Sequence, residues 1–328
     1  MKKTGYLWLF LIVAVSILIL PFAGCTSSQP QTVTVENTAT KTVTATATIT
    51  DTVEVLKIID GLGREVNITG IPSKIVSIAP SNTEILFALG LGEKVYGVTD
   101  NCDYPQQANE KEKVGGFTEI DIEKIITMNP DLILAEDMHK YEVIPALERH
   151  GFTVVTLVPH NLQEVMDSIE LIGSITGTQD EAVQVVADMQ KRIEAITDIT
   201  DGLTEVEKTK VLYILWHEPI MSVGSDTRIH ELIEKAGGIN IAAVAGEGYP
   251  TLQLEEIINI NPGVIIVDSD ASLQFILNES RLSEVDAITN NRVYSIDPDI
   301  TNRPTPRIVE ALEIMAELLQ PALFPATE

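Results

Sequence analysis

Five histidines are the first candidates for chemistry: His139, His150, His160, His217 and His230. None stands at a metal-ligand spacing such as HExxH. His217, in "WHEP", offers an axial or metal ligand, or simply a polar residue at a strand end. His139 follows the strand "LILAEDM" and so faces the mouth of any cleft at the strand ends, where an axial contact to a ligand is an option. Cys102 has nothing basic near it in sequence to lower its pKa, which argues against a nucleophile. "GLGEKV" at Gly90 lacks the third glycine of a dinucleotide loop and follows a helix rather than a strand. No Ser-His-Asp or Cys-His arrangement emerges from residue order. No catalytic residue, no metal site and no catalytic cofactor is expected.

Carboxylates carry a stronger pattern. "EKIITMNPDLILA" starts at Glu123, and "EEIININPGVIIV" starts at Glu255. At the same offset of 132 residues, Gly116-Phe117 matches Gly248-Tyr249. Each copy therefore reads Gly-aromatic, a glutamate, a short helix, Asn-Pro and a strand. Helix, Asn-Pro and strand are common α/β grammar, but the shared offset of the Gly-aromatic pairs favours two related lobes. Proline stops each helix. The leading glutamates suit a helix N-terminus, and they are equally free to serve as a contact with a partner.

The surrounding elements must position these residues. "VLKIIDGLGREVNI" has two alternating runs around Asp60-Gly61-Leu62-Gly63, a hairpin signature. "KIVSIA" is a short buried strand, after which Ser81 or Asn82 can cap a helix, with Glu84 at capping-box spacing from Ser81. The helix is expected to end at Gly90. Strands "KVYGV", "DLILA" and "TVVTL" alternate with helices, which predicts a parallel sheet covered on both faces. A helix is expected from Asn161 to Ile172, stopped by Gly173 and Gly177. From Thr178 to about Ile199 a long helix is expected, with Val183, Val186, Ala187, Met189, Gln190 and Ile193 on one face. At 1.5 Å per residue it reaches about 30 Å, enough to span two domains. The alternation then restarts with "KVLYILW", a helix from Arg228, "GVIIVD" and "RVYSI", and closes with a helix from Arg307. Two α/β lobes so joined bind ligands between them, beyond the strand ends.

The chain has 328 residues, 45% hydrophobic and 21% charged, with a formal net charge of −26. Length and composition fit two globular domains, and the acidity excludes nucleic acid as an expected partner. Lys2 and Lys3, an apolar run from Gly5 to Leu20 and "PFAGC" give the order of a secretory signal. Its end has the pattern of a lipoprotein signal with Cys25 as the lipidated residue, although Phe22 stands where leucine is commonest; an uncleaved anchor is the alternative. Either way the remainder is expected outside the cytoplasm, held at the membrane. "TVTATATIT" belongs to a Thr-rich tether. The expected boundaries are a signal peptide over 1–24, tether over 25–53, N-terminal lobe over 54–160, helical connection over 161–200, C-terminal lobe over 201–300, and a final helix and tail over 301–328.

In order and spacing, "IVSIAPSNTEILFALGLGEKVYGVTD", "CDYP", "VGGF", "IEKIITMNPDLILA", "EEIININPGVIIV" and "RPTPRIVEAL" resemble the vitamin B12 and ferric-siderophore type of extracytoplasmic binding protein of ABC importers. "CDYP" and "VGGF" are most similar to its cobalamin-binding branch. The resemblance implies an α/β fold of two Rossmann-like lobes joined by one long helix, the class III periplasmic binding protein type, acting as a monomer that carries a ligand rather than an enzyme. It implies that Glu123 and Glu255 dock on the two subunits of an ABC permease. It implies a bound corrinoid such as cobalamin, stacked on Phe117, Tyr249 and Trp216 and touched by Asn101, Asn302 and Arg303. Glu136 and Asp137 stand where that branch can carry a tryptophan, which keeps haem, another corrinoid or a ferric siderophore as alternative ligands. A chelatase-like enzyme on the same scaffold, using His139 or His217, is the remaining alternative.

Overall fold

The computed structural model describes residues 55–325 and, ahead of them, the strands β1 (Thr32–Val35) and β2 (Val43–Thr46). β1 and β2 pair antiparallel, Thr32 opposite Thr46, within a unit of their own. The signal peptide and Cys25 lie outside the described residues, as does most of the tether.

The main body opens with the hairpin β3 (Val55–Ile59) and β4 (Glu65–Thr69), Val55 opposite Thr69. Its turn is set by Asp60, whose carboxylate accepts from the N–H groups of Leu62 and Arg64, both at 3.0 Å. The first sheet holds β5 (Ile75–Ser77), β6 (Val95–Val98), β7 (Glu112–Lys113), β8 (Leu132–Glu136) and β9 (Val154–Leu157). All run parallel, in the order β7-β6-β5-β8-β9. Helices α1 (Pro80–Ala88), α2 (Ile122–Met128) and α3 (Val143–Arg149) connect them.

Two helices lead to the second lobe, α4 (Leu162–Thr176) and α5 (Gln179–Thr200). The second sheet contains β10 (Thr209–Ile214), followed by the small hairpin β11 (Trp216–His217) and β12 (Ile220–Met221), then α6 (Arg228–Lys235) and β13 (Gly238–Asn240). The chain continues through α7 (Leu254–Ile260), β14 (Val264–Val267), α8 (Asp270–Asn278), α9 (Asp286–Thr289), β15 (Val293–Ser295), α10 (Pro298–Thr301) and α11 (Ile308–Leu319). The parallel order is β13-β10-β14-β15.

Strand periodicity divides the core. Leu132 and Leu134 face one cluster and Ile133 and Ala135 another, because alternate side chains point to opposite sides of a strand. In the second lobe Val211 and Tyr213 separate in the same way from Leu212 and Ile214. The outer faces form two private cores. The inner faces of both sheets share a single apolar cluster that runs through α4, α5 and α11.

The repeat survives in three dimensions with its offset of 132. α2 at 122–128 corresponds to α7 at 254–260, and β8 starts at 132 as β14 starts at 264. Asn129 (φ +48°) and Asn261 (φ +53°) end the two helices in the left-handed conformation. The following proline disfavours the right-handed helical region at these positions, and asparagine tolerates the left-handed one.

Three local expectations are corrected. Ser81 and Asn82 do not cap α1; Pro80 starts the helix, and its Ala79 cap has no side-chain bond. Gly173 does not stop α4. The helix passes through it to Gly177, because a side chain there would collide with Ala182 of α5. Val183 is exposed, and the buried face of α5 is Ala182, Val186, Met189, Ile193 and Ile196.

Candidate ligand-binding cleft

In the first sheet the connections from β5 and β8 leave in opposite directions, as they do from β10 and β14 in the second. Each such reversal opens a crevice at the carboxyl ends of the strands. Pro80 and Ser81 follow β5, Glu136 ends β8, and Leu215 follows β10; all line cavities there. One cavity is about 480 Å³ and the other about 630 Å³, and they share Asp137, His160, Arg228 and Asn302, so they form one cleft.

Phe117 enters the first cavity from the loop after β7. Its N–H donates to Asn101 Oδ1 at 3.0 Å, and its carbonyl accepts from His139 Nε2 at 2.9 Å. The Phe117 and His139 rings meet edge-on, centroids 5.5 Å apart. His139 Nδ1 accepts from the Glu136 N–H at 3.2 Å, which fixes the proton on Nε2. Both ring nitrogens are thus engaged, and the axial role open to His139 in the sequence is corrected to one of holding Phe117 in place.

Tyr249 lines the second cavity, 61% exposed, on a loop with Gly246 and Gly248 at positive φ. That loop lies against Gly224: Gly224 N–H donates to Gly248 O at 2.7 Å, and Ser222 N–H to Pro250 O at 2.9 Å. A Cβ on Gly224 would come within 2.7 Å of the Glu247 carbonyl carbon, so only glycine permits this approach.

The other expected contact residues divide. Asn101, Asn302 and Arg303 line the first cavity. Arg303 is already engaged: Nη1 donates to Glu84 at 3.0 Å and Asp103 at 2.7 Å, and Nη2 pairs with Asp299 at 2.8 Å. Trp216 lies outside the lining of both cavities. It is half exposed on β11, stacked on His217 at 5.0 Å, with Nε1 donating to Glu218 O at 2.9 Å. His217 is held between Trp216 and Phe275 and bonded to Ser272. Cys102 is buried between the hydroxyls of Thr83 and Thr99, and burial pushes its thiol up, away from the reactive thiolate.

Sequence reasoning missed Arg228 and the role of Glu136. Glu136 accepts a hydrogen bond from the Ser81 hydroxyl. Burial pushes its carboxyl up from the ordinary 4.5, against the opposing pull of Ser81, His139 and Arg228. Arg228 donates from Nη1 to Pro159 O and from Nη2 to Asn302 O at 2.9 Å. One signal for it exists in the sequence: a cation at the first position of a helix opposes the peptide dipoles, so something other than helix stability keeps it there.

A known sequence family, described as periplasmic binding protein, matches residues 75–300. The chain belongs to that family. Its members are solute-binding proteins rather than enzymes, which removes the chelatase-like alternative, and those of ABC importers work outside the cytoplasm with permease partners. This binding protein is 33% identical to the uncharacterized ABC transporter substrate-binding lipoprotein YvrC of Bacillus subtilis, over 99% of each chain. It is 30% identical to the vitamin B12-binding protein of Vibrio cholerae, covering 75% of this chain and 89% of the relative. The crystal structure of the periplasmic vitamin B12 binding protein BtuF of Vibrio cholerae superposes with a TM-score of 0.68 and 30% identity, over 77% of this chain and 98% of the other.

Proposed function

We propose that this binding protein carries a corrinoid, cobalamin or a close relative, in the cleft between its lobes and delivers it to an ABC import permease. The observation that carries the reading is the 30% identity to a vitamin B12-binding protein over 248 residues. The site is consistent with it. Phe117 and Tyr249 offer aromatic faces from opposite lobes, and Asn101 and Asn302 offer amide groups. A large macrocycle with polar side arms needs both kinds of contact. Glu123 and Glu255 are exposed on the first turns of α2 and α7, and we assign them to docking on the permease subunits through arginine pairs. Cys25 is assigned to the lipid anchor.

Haem or a ferric siderophore is the second reading. It is favoured by Glu136 and Asp137 standing at the cleft wall where a corrinoid binder can carry an aromatic, and by a structure 27% identical, that of a possible iron-binding protein from Staphylococcus epidermidis. Absorption titrations with cyanocobalamin, haemin and a ferric siderophore separate the two. Stoichiometric binding of cyanocobalamin is expected. Binding of haemin or siderophore alone would replace the corrinoid reading, and binding of none would sink both readings of the ligand.

A further inference from the structure

Arg228 begins α6 and lines both halves of the cleft. A guanidinium carries five N–H donors. Two of them go to neutral backbone carbonyls, those of Pro159 and Asn302. Nε is buried without a partner. Among the described residues Arg228 makes no ion pair, whereas Arg303, the other arginine lining the cleft, meets three carboxylates. Glu136 and Glu164 act on Arg228 through space without pairing with it; Glu164 is spent at the start of α4, accepting from the His160 N–H at 2.7 Å and Asn161 Nδ2 at 2.9 Å. Glu136 is pushed by burial toward its neutral form and shares its oxygen with Ser81. Asp137 pairs with Lys140 at 3.3 Å, and Asp226 accepts from the Gly248 N–H. A partly buried charge without a counter-ion is costly and attracts one.

We propose that Arg228 receives an oxyanion of the ligand, a phosphodiester or a carboxylate, and so selects for ligands that carry one. The inference deepens the corrinoid reading and rests on it for the choice of probe. Cobalamin bears a phosphodiester in its nucleotide loop; cobinamide keeps the corrin ring and amide arms but lacks that loop. A hydrogen-bonded charge pair of this kind shifts affinity by roughly tenfold or more. The carbonyl contacts to Pro159 and Asn302 give Arg228 a structural role as well, so the experiment must separate the two.

Calorimetric titration of the wild type, Arg228→Gln and Arg228→Lys with cyanocobalamin and dicyanocobinamide does so, with circular dichroism to confirm folding. The wild type should prefer cyanocobalamin by about tenfold or more. Arg228→Gln should lose that preference by weakening cyanocobalamin alone, and Arg228→Lys, which keeps the charge, should retain part of it. Equal weakening of both ligands, or no change in either, overturns the proposal. If Arg228→Gln fails to fold, Arg228→Lys decides: a reduced preference supports the proposal and an unchanged one overturns it. If the wild type binds neither corrinoid, the corrinoid reading falls on its own and the anion is tested with haemin against its dimethyl ester. A preference for the free carboxylates that Arg228→Lys diminishes then supports the role of Arg228, and the absence of such a preference overturns it.

Discussion

Arg307 holds Glu84 in a two-pronged ion pair, Nε to one carboxylate oxygen at 2.8 Å and Nη2 to the other at 2.7 Å. Glu84 belongs to α1 of the first lobe and Arg307 directly precedes α11, so the pair fastens one lobe to the last helix of the chain. The Glu84 side chain is only 2% exposed and also accepts from Arg303. The guanidinium of Arg307 lies 3.7 Å from the centre of the Tyr104 ring. Glu84→Ala should therefore lower stability by about 3–5 kcal/mol, since it removes the buried partner of Arg307 and one of the three carboxylates of Arg303. Urea denaturation at neutral pH measures this; a loss below about 1 kcal/mol would mean the pair behaves like a surface contact.

Glu136 makes stability depend on pH in a definite direction. Its folded pKa lies above the unfolded value, so in the window between them the folded state binds more protons, and stability falls as pH rises through it. Above the window the buried charge is a constant burden. Glu136→Gln keeps an oxygen for the Ser81 hydroxyl and has no proton to gain or lose, so it removes this loss of stability. The variant should melt higher than the wild type at neutral pH, and the difference should vanish as the pH falls to about 4. A gain that persists unchanged in acid would point to packing instead of charge.

The 132-residue repeat is the feature most legible in the sequence. Its period, its glutamates and its Asn-Pro stops are local signals, and the fold keeps them in register. What is not legible depends on distant partners. Ser81 and Glu84 have the spacing of a capping box, yet their side chains go to Glu136 and Arg307, residues 55 and 223 positions away. Gly173 reads as a helix stop because the reason for it, the approach of Ala182, is tertiary. The place of Trp216 after a strand points to the cleft, but a hairpin turns it onto His217. In sequence Arg228 is marked only by its place at the start of a helix; the fold reveals that it makes no ion pair among the described residues.

Gly224 should tolerate no side chain. Gly224→Ala would push the loop of Tyr249 away from the second-lobe wall, cost about 1–3 kcal/mol through overpacking, and weaken ligand binding further than the stability change accounts for. Parallel denaturation and titration experiments separate the two effects. Unaltered affinity would mean that Tyr249 does not touch ligand.

Glu123 and Glu255 are exposed, and neither makes an ion pair among the described residues. Replacing both with alanine should abolish ligand uptake by cells while leaving ligand affinity and melting temperature within error, because surface substitutions of this kind change stability by no more than about 0.5 kcal/mol. A fall in affinity in the purified double variant would move these residues from the docking face to the cleft.

The apolar cluster shared by the inner faces of both sheets has a mechanical meaning. Neither lobe owns its inner face; each is completed by α4, α5 and α11. Swinging the lobes apart would drag that cluster into water at about 25 cal/mol for every Å² exposed, so even about 200 Å² would cost about 5 kcal/mol. The molecule is thus stiff where other two-lobed carriers are jointed. A calorimeter should record one melting peak for the body instead of two. On the role proposed for Phe117 and Tyr249, the difference between loaded and empty protein offered to a permease lies in their loops, at the rim of a stiff body.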